Sequence, residues 1–291
     1  MDKYESSELI LSETGSIYHL NLTPDQIAKD IILVGDPARV QEISSHFDTI
    51  EHRVFNREFV THTGYIGHKR LSVISSGIGT DNIDIVVNEL DALVNIDLKK
   101  RIDKPAHQSL NLIRLGTSGA LSKLIEVDHF VISKYALGID NLALFYELNE
   151  HLIDHKAVEA FIKQSNWNPK LCEPYIIKSS DSLDARFHDS IHRGITVTAP
   201  GFYGPQGRIL RVAPADPEQN NKLANFQWNG FPVTNYEMET SALYALGQQL
   251  GHNTLTICAI IANRPAGTYS KNHKKTVQKL IDRVLNAIIK E

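Results

Sequence analysis

Short apolar runs alternate with segments of helical period from one end of this chain to the other, and that alternation is its strongest constraint. Ile31 to Val34 reads as a buried strand stopped by Gly35-Asp36-Pro37. Pro37 is well placed at a helix start, and Arg39, Val40, Ile43 and Phe47 follow at helical spacing. Glu58 to Ile66 and Arg70 to Ser76 predict a hairpin turning through Gly67-His68-Lys69. A helix is expected from about Asn82 to Val94, with Ile83, Val86, Val87 and Leu90 on one face. Leu112 to Leu115, Val127 to Ser133, Tyr175 to Lys178, Ile195 to Thr198 and Leu255 to Ile261 are further strands. A last helix, about Lys274 to Lys290, carries Val277, Leu280, Ile281, Val284, Leu285 and Ile288 as one stripe. Strands alternating with helices make an α/β protein whose sheet is covered on both faces. Lys99 to His107 is polar and contains proline, but it reads as a surface loop, so one domain is expected.

Composition narrows the class. Apolar content of 42% and charged content of 22% are those of an ordinary soluble globular chain. A net charge of −4 offers nucleic acid no global attraction, so any anion site is local. Cys172 and Cys258 lack CxxC spacing and read as reduced thiols. The first sixteen residues lack the basic region and apolar core of a signal peptide. Apolar runs such as Leu255 to Ala262 are too short to cross a bilayer. The expectation is a soluble, cytoplasmic protein with no membrane association.

Ligands of α/β sheets gather outside the carboxyl ends of the strands. Gly35 to Arg39 follows a strand, with a glycine that lets backbone N–H groups approach an anion. Gly77-Ile78-Gly79-Thr80 is a second glycine turn before a helix. Arg114-Leu115-Gly116-Thr117-Ser118-Gly119 supplies an arginine and two hydroxyls after another strand, and Arg57 is a further candidate. Arginine forks suit phosphate oxygens. Together these elements predict a phosphate pocket. In Asn235-Tyr236-Glu237-Met238-Glu239 an extended run gives way to a helical one, which can aim Glu239 into a pocket beside the soft face of Met238. A sugar has that character, and Gln206 with Arg208 suits a planar base bearing carbonyls and an N–H. Sugar plus base is a nucleoside.

Other chemistries are weaker. Asn82 breaks the dinucleotide fingerprint after Gly77-Ile78-Gly79. His188 and His192 stand four apart, but Asp189 replaces the glutamate of the metalloprotease pattern and no third ligand is evident, so no metal site is expected. His62 and His68 flank the hairpin and read as solvated. Ser75-Ser76-Gly77 lacks the spacing of a nucleophile elbow, and no serine hydrolase is indicated.

The combined residues resemble the nucleoside phosphorylase superfamily, and uridine phosphorylase most closely. The matching pieces, in family order, begin with Tyr18-His19-Leu20, Val34 to Val40, Arg57-Glu58-Phe59, Ser76 to Gly79 and Ile113 to Ala120. Phe202 to Arg208, Asn235 to Glu239 and Ile260 to Arg264 complete the set. The resemblance covers residues 17 to 290 and implies a three-layer α/β/α fold with a central mixed, partly barrel-like sheet. Residues 17–291 would form one phosphorylase-like domain behind an N-terminal extension of residues 1–16. It implies phosphorolysis: nucleoside plus phosphate gives base plus ribose 1-phosphate, with phosphate as co-substrate and no cofactor. By analogy Gly35, Arg39, Arg114 and Thr117 hold phosphate, joined by Arg57 of a neighbouring subunit. Met238 and Glu239 hold ribose, with a neighbour's His19 near the 5′-hydroxyl. Gln206 and Arg208 read the base, while Phe202 and Ile261 line its pocket. Arg208, Glu239 and Arg114 carry the catalytic load. The bacterial relatives are hexamers built from dimers that share active sites, and some hold a monovalent cation, often potassium, near the positions of Glu58 and Ser75.

Asn263 stands where bacterial-type purine phosphorylases carry a proton-donating aspartate, and with Gln206-x-Arg208 it favours uridine. A phosphorylase for a purine or another nucleoside, and a catalytically silent nucleoside-binding protein, are the alternatives. The chain departs from the family pattern at Thr80, usually glycine, and at Gly204-Pro205, usually in the other order. It also departs in a longer 99–107 loop and about a dozen extra residues before His19.

Overall fold

The computed structural model describes residues 3–187 and 191–290. Its strands are β1 (Asp30–Val34), β2 (Thr49–Asn56), β3 (Phe59–Ile66), β4 (Lys69–Ser75), β5 (Ile96–Asp97), β6 (Ile102–Asp103) and β7 (Asn111–Ala120). They continue as β8 (Phe130–Gly138), β9 (Tyr175–Lys178), β10 (His192–Thr198), β11 (Gln227–Trp228), β12 (Phe231–Glu237), β13 (Asn253–Asn263) and β14 (Thr268–Tyr269). The α-helices are α1 (Pro37–Ser44), α2 (Thr80–Asn95), α3 (His155–Ser165), α4 (Asp181–Asp184), α5 (Gln219–Ala224), α6 (Thr240–Gln249) and α7 (His273–Ile289).

One mixed sheet organises the molecule. From its β2 edge the order is β2, β3, β4, β1, β7, β13, β8, β10, β12, and β12 then pairs back onto β7. Five strands (β7, β13, β8, β10 and β12) therefore close into a barrel, and β1 to β4 extend it as an open wing. β7 belongs to both parts: Asn111 to Leu115 pair with β1, and Gly119 and Ala120 pair with β12. The expected mixed, partly barrel-like sheet is what the chain builds.

The alternation of β1 explains the layers. Ile31 and Leu33 face a core shared with Ile83, Val86, Val87 and Leu90 of α2 and Leu243 of α6. Ile32 and Val34 face the opposite core, shared with Val40 and Ile43 of α1 and the α7 stripe. Helices thus cover both faces. α1 starts as its sequence predicts: Pro37 is at its first position, and the Asp36 side chain accepts from Ala38 N at 2.9 Å.

Four local expectations are corrected. β2 was not expected; its burial alternates weakly and includes Glu51, His52 and Arg53, because one of its edges has no partner strand. Residues 116–119 are not a loop but the second half of β7. The 99–107 segment is partly ordered as the β5–β6 hairpin, against which the N-terminal segment packs. There Tyr4 N donates to Arg101 O at 2.8 Å, and Arg101 Nη1 donates to Leu9 O at 2.6 Å. The two stretches that depart most from the family pattern are thus each other's neighbours. Finally, His62 is buried and its Nδ1 lies 2.7 Å from Ser44 Oγ, whereas His68 is exposed. His188 lies outside the described residues.

Candidate active site

The carboxyl ends of β1, β4, β7, β12 and β13 converge with the loop after β10 around one cavity of about 700 Å³. Gly35, Arg39, Arg114, Thr117, Phe202, Gln206, Arg208, Met238, Glu239 and Ile261 all line it. His19 and Arg57 do not. They form a separate patch in which His19 Nδ1 is 2.6 Å from Glu89 Oε1 and Asn56 Nδ2 donates to His19 O at 2.8 Å. Arg57, at a left-handed φ of 54°, places its guanidinium 5.5 Å from the Tyr18 ring centroid. The hydroxyl of Ser75 is engaged within the chain, donating to Glu58 O at 2.6 Å and accepting from Val60 N at 2.7 Å.

Two carboxylates at the start of α6 divide their tasks. Glu237 accepts from Glu239 N (2.8 Å) and Thr240 N (2.9 Å), and its other oxygen accepts from Thr198 Oγ1 at 2.6 Å. It caps the helix and anchors it to β10. Glu239 accepts from Gly79 N at 2.8 Å, at the start of α2, and from Arg114 Nη2. Arg114 Nη1 also lies 3.3 Å from Glu237. Burial disfavours the charge on Arg114, but the two carboxylates more than offset this and hold it protonated. Burial likewise pushes the Glu239 carboxyl up to about 6, against the downward pull of Arg114.

Gly116 makes this arrangement fit. A Cβ there would come within 2.3 Å of Arg114 Nη1, so the guanidinium can lie along β7 only over a glycine. Arg39, from the first turn of α1, donates to Leu115 O at 3.4 Å. Its pKa is lowered, first by burial and then partly by Arg114. Two guanidinium groups that repel each other across a glycine-lined turn form a site for an anion with several oxygens.

The other end of the cavity is built on the turn from Tyr203 to Arg208. Gln219 Nε2 donates to Pro205 O (2.7 Å) and Tyr236 Oη (2.9 Å), which fixes the turn to α5 and β12. Arg208 stacks over Phe202, its Cζ 3.6 Å from the ring centroid, and donates to Gln206 Oε1 at 2.7 Å. Arg264 donates to the same oxygen at 2.9 Å. Sequence reasoning gave Arg264, Gly116 and Glu237 no separate role; only their long-range contacts reveal it. Asn263 does not line the cavity. Its amide donates to Ser122 O and Ile125 O and accepts from Ala266 N, which ties down the β13–β14 turn.

Among the described residues, the ligand atoms of Asp91, His107 and His252 come within 4.8 Å of one another. Leu110 N donates to His252 Nδ1 at 3.2 Å, so a neutral His252 carries its proton on Nε2, 3.3 Å from Asp91. A metal would need that nitrogen bare, and the cluster reads as a polar contact between α2 and the turn into β13. No described helix is long and apolar enough to cross a membrane.

Comparison with known proteins agrees with this architecture. The sequence is 30% identical over 283 residues to a uridine phosphorylase of Thermococcus kodakarensis, covering 94% of this chain and 87% of the relative. It is 29% identical over 277 residues to a DeoD-type purine nucleoside phosphorylase of Clostridium perfringens, covering 93% and 98%. A solved Trypanosoma brucei nucleoside phosphorylase, described as showing uridine phosphorylase activity, matches with a TM-score of 0.84 and 26% identity, covering 97% of this chain and 100% of that one. A family model described as the Phosphorylase superfamily matches residues 29–290, and this chain belongs to that superfamily.

Proposed function

We propose that the protein catalyses phosphorolysis of a pyrimidine nucleoside, uridine plus phosphate giving uracil and ribose 1-phosphate, as a pentosyltransferase of nucleoside salvage. The observation that carries the reading is the polarity of one cavity. Arg39, Arg114, Gly35 and Thr117 stand at an anion end, Gln206 and Arg208 at an amide-and-guanidinium end, and Met238 and Glu239 also line it. A nucleoside with phosphate at its C1′ face matches that order.

The chemistry follows from where charge develops. As the glycosidic bond breaks, the sugar becomes oxocarbenium-like and the base gains negative charge. Phosphate held by Arg39 and Arg114 meets the cation, and Arg208 stabilises the departing base. Glu239 accepts from the ribose hydroxyls, and Met238 packs on the sugar. Interactions that strengthen with developing charge lower the barrier without a covalent enzyme intermediate.

Arg57 and His19 fit this scheme as residues supplied to a neighbour's cavity. They lie together outside their own chain's cavity, which supports a dimer with shared sites, assembled into a hexamer. We place the enzyme in the cytoplasm, assign residues 17–291 to one domain with residues 1–16 appended, and admit potassium near Glu58 and Ser75. A purine substrate is the second reading, favoured by the similarity to a DeoD-type purine phosphorylase. The deciding experiment follows base and ribose 1-phosphate from uridine and inosine, with and without phosphate. Phosphate-dependent turnover of uridine supports the proposal; turnover of inosine alone replaces it with the purine reading. Phosphate-independent release makes the protein a nucleosidase, and silence on both substrates makes it a binding protein.

A further inference from the structure

Glu89 gives both oxygens of its carboxylate to the segment that carries His19. Oε2 accepts from Leu20 N at 2.8 Å and from His19 N at 3.1 Å. Oε1 accepts from His19 N at 2.9 Å and lies 2.6 Å from His19 Nδ1. The carboxylate rides on α2, which Val86, Val87 and Leu90 bury against the core, so a rigid element aims it. Asn56 Nδ2 fixes the same segment by donating to His19 O at 2.8 Å and Tyr18 O at 3.3 Å. A carboxylate accepts and does not donate, so the proton between Glu89 and the ring belongs to Nδ1. A neutral His19 then keeps Nε2 bare, and that nitrogen has no hydrogen-bond partner among the described residues.

We propose that Glu89 is a positioning residue that fixes the tautomer of His19, so that the ring offers the 5′ position of the nucleoside a lone pair instead of an N–H. The inference rests on the reading above in which His19 serves a neighbour's ribose. A 5′-hydroxyl donates to that lone pair. A 5′ group that only accepts, such as fluorine or the oxygens of a phosphate dianion, meets it lone pair to lone pair. The ring therefore selects free nucleosides and turns away nucleotides, through an unmade hydrogen bond and a repulsive contact.

The test compares substrates that differ only at the 5′ carbon. Uridine donates and accepts there, 5′-deoxyuridine does neither, and 5′-deoxy-5′-fluorouridine only accepts. In the unaltered protein kcat/KM should fall in that order. Glu89→Gln should force the other tautomer: its carbonyl has to take the place of Oε2 to receive the two backbone N–H groups, which sets its NH2 against Nδ1 and moves the ring proton to Nε2. The ratio of fluoro to deoxy substrate should then rise about tenfold. Parallel loss on all substrates with that ratio unmoved overturns the proposal, as does equal kcat/KM for uridine and 5′-deoxyuridine in the unaltered protein. Nitrogen NMR of histidine-labelled protein reads the tautomer directly at mildly alkaline pH, where the ring is neutral, with the His19 signals identified by their loss in His19→Ala. Nδ1 should be protonated and Nε2 bare, and the reverse should hold in Glu89→Gln. A protonated Nε2 in the unaltered protein overturns the proposal. If the unaltered protein releases no base from uridine in phosphate, it is the functional reading that fails, and the spectra alone decide the tautomer.

Discussion

Arg114, from the middle of β7, donates to Glu239 at the start of α6, so the residue assigned to phosphate and the residue assigned to ribose share one ion pair. Glu239→Ala should reduce kcat/KM for the nucleoside by about a hundredfold, the cost of losing one charge-directed contact. Arg114, left with Glu237 as its one remaining carboxylate, is freer to turn to the anion, so the KM for phosphate should not rise. Steady-state kinetics with each substrate varied in turn checks both. Near-normal nucleoside kinetics would sink the sugar-site assignment.

The same carboxyl sets a pH limit. Burial raises it to about 6, so its ionised form dominates above that pH and is lost as pH falls through it. Nucleoside kcat/KM should therefore decline on the acid side with an apparent pKa near 6. The limb should be absent from the pH profile of Glu239→Gln; its persistence there would assign it to another group.

Gly116→Ala should act most strongly on phosphate. The added Cβ falls on Arg114 Nη1 and forces the guanidinium off its line. A displacement of about 1 Å in a positioned group costs up to about a hundredfold, so the KM for phosphate should rise by roughly one to two orders of magnitude. An unchanged phosphate titration curve would show that Arg114 relaxes freely.

Arg208→Ala should reduce uridine turnover far more than it loosens phosphate, since the hydrogen bonds and ring contact of Arg208 lie in the turn at the base end. Equal loss of both, in the same pair of titrations, would remove its assigned role.

Glu237→Ala should be a stability mutant first. It strips the cap from α6, leaves Thr198 without its acceptor and takes one carboxylate from Arg114. Breaking such a buried set costs about 3 kcal/mol, visible as a lowered urea midpoint. A midpoint unchanged from that of the unaltered protein would mean that Thr240 and Glu239 find other acceptors.

The sequence made the wing and the cavity lining legible for different reasons. β1, α1 and α2 announce themselves through period and punctuation, since Pro37 and the Ile83 to Leu90 stripe have local causes. β2 stayed hidden because an edge strand with only weakly alternating burial leaves little pattern. The second half of β7 looked like a loop because Gly116 and Gly119 are there for a guanidinium and a cavity, not for a turn. Arg264 was invisible as a positioning group because its partner, Gln206, lies 58 residues away. The commitment of Asn263 was likewise out of reach of the sequence, since its amide donates to the carbonyls of Ser122 and Ile125. Ten of the residues that the resemblance pointed to line one cavity, while His19 and Arg57 lie outside it, and only tertiary contacts separate the residues that face the cavity from those that hold them.

The double membership of β7 has a consequence for how such a protein can change over evolutionary time. Its register is set on one side by the wing and on the other by the barrel seam. Arg114 therefore cannot slip by a residue without reversing the faces of strands in both parts at once. The turn that carries Gln206 and Arg208 is not itself a strand; Gln219 ties it to Tyr236 of β12, and Arg264 holds Gln206. A lineage built on this scaffold can try new bases at little risk while its grip on the anion stays fixed.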